Sequence, residues 1–96
     1  MYARLGYARM APGSRARWDA ARPQLLTLVR EQPGFVSATA LYNAVADEGG
    51  YFTVWATREA AEAAGAVIAP KLQELLAEVL LGDRTIRVFE VVETID

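Results

Sequence analysis

Two absences narrow the residues that could do chemistry in this chain: it contains no histidine and no cysteine. Thiolate catalysis, disulfides and cysteine metal sites are removed together. So are the commonest general base, the commonest metal ligand and the usual haem ligand. What remains is a set of amphipathic residues in strand-like stretches: Tyr7, Tyr42, Asn43, Tyr51, Trp55 and Arg87, with Trp18 and Leu72 in helix-like ones. Such groups offer stacking surface and hydrogen bonds to a bound molecule, rather than a nucleophile or a metal. None has a partner at a spacing that announces catalysis.

Each also has a plainer reading. In "YFTVWATREA", residues 51–60, an alternating strand switches to a helix start, and Trp55 stands just before the switch. A large residue on a buried strand is ordinarily core, whereas an indole with a free N–H suits a pocket. Tyr51 fits a cross-strand pair as well as a ligand contact. Asn43 suits a strand end or turn. Arg87 suits a surface or interface ion pair, and Lys71, the only lysine, an exposed helix start. Glu59, Glu62, Glu74 and Glu78 read as solvated helix faces.

The elements that must position these residues follow from periodicity. Tyr2 to Met10 reads as a strand, broken by Pro12-Gly13, with Ser14 as a possible N-cap. From Ser14 to Gln32, Trp18, Ala21, Leu25, Leu28 and Val29 recur at helical spacing, with a kink expected at Pro23. Pro33-Gly34 closes that helix. Phe35 to Asn43 and Tyr51 to Thr57 read as a hairpin around "AVADEGG". Thr57 caps the next helix, with Glu59 in its favourable first turn. That helix is expected to reach Pro70, which starts a further turn or two ended by Gly82-Asp83. Thr85 to Glu93 is the last strand, with Ile86, Val88 and Val92 on one face and Phe89 and Val91 on the other.

The order is β-α-β-β-α-β, an α+β fold of ferredoxin-like type: one four-stranded antiparallel sheet with both helices on one face. At 96 residues it amounts to one domain, 1–96, with a modest core. With 53% hydrophobic and 23% charged residues the chain is globular, and its net charge of -2 includes no basic cluster to capture nucleic acid. No apolar run is long enough for a signal peptide or a membrane span, so an intracellular, cytoplasmic protein is the simplest expectation.

A sheet covered on one side should alternate apolar and polar residues. These strands are apolar on both sides. Phe35 and Leu41 oppose Val36, Ala38, Ala40 and Tyr42, and Phe52, Val54 and Ala56 oppose Tyr51 and Trp55. Two helices cover only one face. The other is expected to meet a second sheet, supplied most simply by a second copy in a two-fold homodimer.

The segment "PGFVSATALYNAVADEGGYFTVWATREAAEAA" resembles the centre of the antibiotic biosynthesis monooxygenase (ABM) domain, a branch of the dimeric α/β-barrel superfamily. The likeness rests on Pro33-Gly34-Phe35, an aromatic third strand ending in Trp55, and Glu59-Ala60 opening the second helix. Element order and length extend it over essentially the whole chain. That family includes cofactor-independent oxygenases of aromatic polyketides, haem-degrading enzymes and proteins of unknown role. The haem-degrading members place a ligating His near the positions of Ala64 and Gly65, and a pocket Asn on strand 1. This chain has neither, which disfavours haem degradation by that route.

The resemblance implies a cofactor-free oxygenase, which needs a dry pocket, deprotonation of an activated phenol, and donors for the resulting anion. The substrate then supplies the electrons to oxygen, with no cofactor and no metal. Trp55 with Tyr51 is expected to face the cavity between sheet and helices, joined by Trp18, Leu72 and Arg87 and, according to the hairpin register, by Asn43 or Tyr42. Phe52, Val54 and Ala56 are expected to face the dimer. Two function classes follow: an oxygenase of an aromatic, quinol-like compound, and a non-catalytic dimeric module that binds a hydrophobic small molecule or only assembles.

Overall fold

The alternating stretches do form strands and the 3.6-period stretches helices. The computed structural model describes residues 1–96. Its elements are β1 (Tyr2–Met10), α1 (Arg15–Glu31), β2 (Phe35–Asn43), β3 (Glu48–Trp55), α2 (Arg58–Leu76) and β4 (Leu80–Glu90). The strands make one sheet in the order β2-β3-β1-β4, with every neighbouring pair antiparallel. This is the expected ferredoxin-like arrangement.

α1 buries Trp18, Ala21, Leu25 and Val29, one face at helical spacing. It passes through Pro23 as a single helix. Ser14 does not cap it with its side chain; the hydroxyl turns back to the Ala11 carbonyl instead. At α2 the expected cap is present, Thr57 Oγ1 accepting the Ala60 N–H at 3.1 Å. Pro70, however, does not begin a separate helical piece. α2 continues through it to Leu76, because Ile68 and Leu76 on either side are anchored in the same core.

Four strand boundaries differ from expectation. β3 starts at Glu48 because the hairpin turn is tight. Asn43 Oδ1 accepts the N–H groups of Val45 (3.0 Å) and Ala46 (3.1 Å), and Asp47 takes a left-handed backbone conformation with φ 52°. Glu48 to Gly50 are thereby free to pair with β1 and β2. Gly50 permits the close pairing, since a Cβ there would lie 2.7 Å from that of Tyr7. β3 also ends at Trp55, leaving Ala56 and Thr57 in the connection to α2. β4 begins at Leu80 and ends at Glu90, because Gly82, at φ 75°, absorbs a register irregularity instead of stopping the chain.

Paired residues of antiparallel strands share a face. Arg4, Gly6, Ala8 and Met10 of β1 therefore point to the helices together with Gly49, Tyr51, Thr53 and Trp55 of β3. Ala3, Leu5 and Tyr7 point away, with Phe52 and Val54. In β2 a register shift between Phe35 and Ser37 corrects the expected grouping. Phe35 leaves the side of Leu41 and joins Ala38 and Tyr42 against the core, while Val36 is left exposed.

The core lies between helices and sheet, where Trp18, Leu25, Val29, Trp55 and Leu76 are fully buried. Each such aliphatic side chain contributes about 1.5–3 kcal/mol. The opposite sheet face has no cover within the chain: Phe52 is 40% exposed, Leu41 41% and Phe89 50%. No helix is long and apolar enough to cross a membrane.

Candidate functional site

A cleft opens between the helices and the centre of the sheet. Its floor is the helix-facing side of β1 and β3, from Arg4 and Thr53 to Met10 and Gly49. Trp18 and Val29 of α1, and Ile68, Leu72 and Leu76 of α2, form its walls; Leu80 and Arg84 of β4 close it. The cavity itself is only about 30 Å³. This slot is mostly filled by its own side chains, and an occupant must part them.

Trp18, Tyr51 and Leu72 all line this slot. The Trp18 and Tyr51 rings meet at 5.2 Å between centroids, tilted by 60°. The Tyr51 hydroxyl is buried and has no hydrogen-bond partner within the chain. An orphaned hydroxyl forfeits roughly 1–3 kcal/mol, and a ligand oxygen can recover that energy. Burial raises the Tyr51 pKa above its ordinary value, more than the charge of Arg22 lowers it. Tyr51 is thus a neutral phenol near pH 7, a donor rather than a base.

Trp55 corrects the expectation placed on it. It does face the helices, but it lies one position beyond the slot's end, fully buried and outside the lining. Its indole N–H donates to Thr53 Oγ1 at 2.8 Å, and its ring meets Phe35 edge-on at 5.8 Å. Thr53 in turn donates to the Arg4 carbonyl at 3.3 Å. Trp55 therefore braces a floor residue, and its polar atom is already satisfied.

Asn43 and Arg87 are corrected more simply. The Asn43 amide oxygen is used by the hairpin turn, and its strand position is on the outer face beside Glu48 and Leu41. Arg87 pairs with Leu5, which places it on the outer face too. Neither reaches the slot. Tyr42 faces the helices, but its hydroxyl is taken by Asp47 at 3.2 Å and Arg15 lies over its ring.

Two residues of the slot escaped the sequence reading. Arg4 and Arg84 both line the slot, and neither has a carboxylate within ion-pair distance, all five ion pairs of the chain lying elsewhere. Burial, and then the charge of Arg84, lower the Arg4 pKa. The sequence carried a signal for Arg4: it stands in phase with Ala8 and Met10, the buried side of its strand. Gly65 carried another, as a glycine inside an alanine-rich helix. A Cβ at that position would lie 2.8 Å from an Arg4 guanidinium nitrogen. Gly65 is where α2 makes room for Arg4.

No side chain in the slot can serve as a carboxylate or imidazole base. The slot has aromatic and aliphatic walls, with the Tyr51 phenol and two arginines among its lining residues. Its chemical capacity is to favour an anion in a dry setting.

No model of a known protein family matches the chain, and no curated protein matches it in sequence. Solved structures do match its fold. It is similar to NE2512, a protein of unknown function from Nitrosomonas europaea, with TM-score 0.82, 21% identity, and 97% of this chain and 90% of that one covered. It is also similar to SnoaB, a cofactor-independent oxygenase from Streptomyces nogalater, with TM-score 0.73, 19% identity and coverage of 97% and 94%. A structure named antibiotic biosynthesis monooxygenase matches with TM-score 0.77 at 15% identity, covering 97% of this chain and 100% of that one. The chain has the ABM-type fold.

Proposed function

We propose that this protein is a cofactor-independent monooxygenase of the ABM type, oxidising an aromatic, quinol-like molecule in the helix–sheet slot. The observation that carries this reading is the buried, partnerless hydroxyl of Tyr51, a residue that lines the slot and whose ring meets Trp18. The fold shared with named oxygenases supports it. A neutral phenol and two guanidinium groups lower the energy of a substrate phenolate or enolate, whose proton leaves to solvent water at the open mouth, and the anion passes its electrons to oxygen. For an anthrone the balance is one methylene and one O₂ giving one carbonyl and one water. The dry walls of Ile68, Leu72 and Leu76 keep water from the reactive anion.

The working unit in this proposal is a two-fold homodimer. A second copy covers the outer face of Leu5, Leu41, Phe52 and Phe89, since an apolar sheet face of this kind is costly to leave in water.

Oxygen uptake with anthrone and with a simple quinol, read at an oxygen electrode, tests the activity. Tyr51→Phe should reduce uptake about 100- to 1,000-fold, the range for one anion-stabilising donor. Binding of the substrate without oxygen uptake by the native chain would instead make it a non-catalytic binding module.

A further inference from the structure

Arg4 and Arg84 pose an electrostatic problem that the chain does not solve itself. Two like charges share one slot, and the Arg4 guanidinium is drawn into it against Gly65 instead of extending to solvent. No carboxylate neutralises either. Partly buried charges are ordinarily paired, and an unpaired one is retained at a cost in folding stability. The surrounding helix contributes to the same arrangement. Gly65 gives up helix propensity relative to alanine, and the atoms nearest to its missing Cβ are all of the Arg4 guanidinium.

We infer that the slot's substrate is a planar aromatic carboxylate, its carboxylate received by Arg4 and Arg84 while its ring system lies along Trp18 and Leu72. This rests on the slot being the substrate site, as proposed above, and adds the chemical class of the substrate. Guanidinium groups match a carboxylate's two oxygens, which a planar aromatic acid presents in line with its ring. The anion also supplies what the slot lacks, a negative charge between two positive ones. An incoming carboxylate holds the ring so that a neighbouring phenol reaches the Tyr51 hydroxyl.

Calorimetric titration of the native protein with 2-naphthoate and with neutral, near-isosteric 2-naphthamide tests this. Naphthoate should bind at least tenfold more tightly, the scale of a charge-assisted hydrogen bond. In Arg4→Gln and Arg84→Gln that preference should fall several-fold while naphthamide affinity stays the same. Arg4→Gln should also fold at least as stably as the native chain, because it removes an unpaired, partly buried charge. Gly65→Ala is a second route: a methyl against the flexible end of Arg4 should weaken naphthoate alone, with helix stability kept or raised. Equal affinity for the two ligands overturns the carboxylate assignment and leaves the aromatic slot standing. Tighter binding of 2-naphthyl phosphate than of naphthoate overturns the planar anion. Binding of none of the three overturns the slot as the substrate site, and this inference with it.

Discussion

Trp55→Phe separates the core role that the structure gives this residue from a ligand-binding role. The indole is fully buried, packs edge-on to Phe35 and donates to Thr53 Oγ1 at 2.8 Å. Truncating a buried Trp to Ala costs about 3–5 kcal/mol, and phenylalanine keeps more than half of the ring, leaving about 1–2 kcal/mol for the cavity. Losing the hydrogen bond adds about 1 kcal/mol, since Thr53 loses its buried donor. The sum is about 2–3 kcal/mol. Urea unfolding followed by far-UV circular dichroism, at one fixed protein concentration, should show that loss. A chain of this size should then melt about 10–20 °C lower. Affinity for 2-naphthoate should change less than about twofold, because Trp55 lies outside the slot. Unchanged stability together with lost ligand affinity would falsify the core assignment.

Two further outcomes are expected. Tyr51→Phe removes a buried hydroxyl with no partner, so stability near neutral pH should hold or rise by about 1 kcal/mol. Because burial raises the folded pKa of Tyr51 above its ordinary 10.0, the unfolded chain loses this proton first, and stability falls as pH rises above that value. Tyr51→Phe should therefore flatten the alkaline side of a stability–pH curve; an unaltered slope would contradict the burial of this group. On the outer face, Phe52→Glu places a charge on the proposed dimer contact. Sedimentation equilibrium at micromolar concentration should give twice the 10.5 kDa chain mass for the native protein and 10.5 kDa for the variant. A native chain that sediments as a monomer would refute the dimer.

The slot itself was only partly legible. Trp18, Tyr51 and Leu72 declared themselves by size, phase and position, because a helical or strand period states which side of an element a residue takes. Asn43 and Arg87 were drawn in by their chemistry, but register sends both elsewhere: the turn uses the Asn43 amide, and pairing with Leu5 turns Arg87 outward. Arg4 was passed over because a strand arginine usually faces water. Only the approach of α2 at Gly65 shows where its guanidinium goes.

The sequence by itself determined the order of elements, that Tyr51 and Trp55 share one face of their strand, and the absence of thiol and imidazole chemistry. These follow from backbone periods and residue types, which act within a few positions along the chain. Tertiary structure decided what lies at which depth. Trp55 and Thr53 share one face of β3, yet the first is sealed in core and the second floors the slot. It also decided where strands begin and end, through the turn at Asp47 and the bulge beside Gly82, it switched the face of Phe35, and it brought Arg4 and Arg84 together from opposite ends of the chain. Those outcomes depend on hydrogen-bond register and helix placement. Both are set by the packing of distant segments, so no local period encodes them.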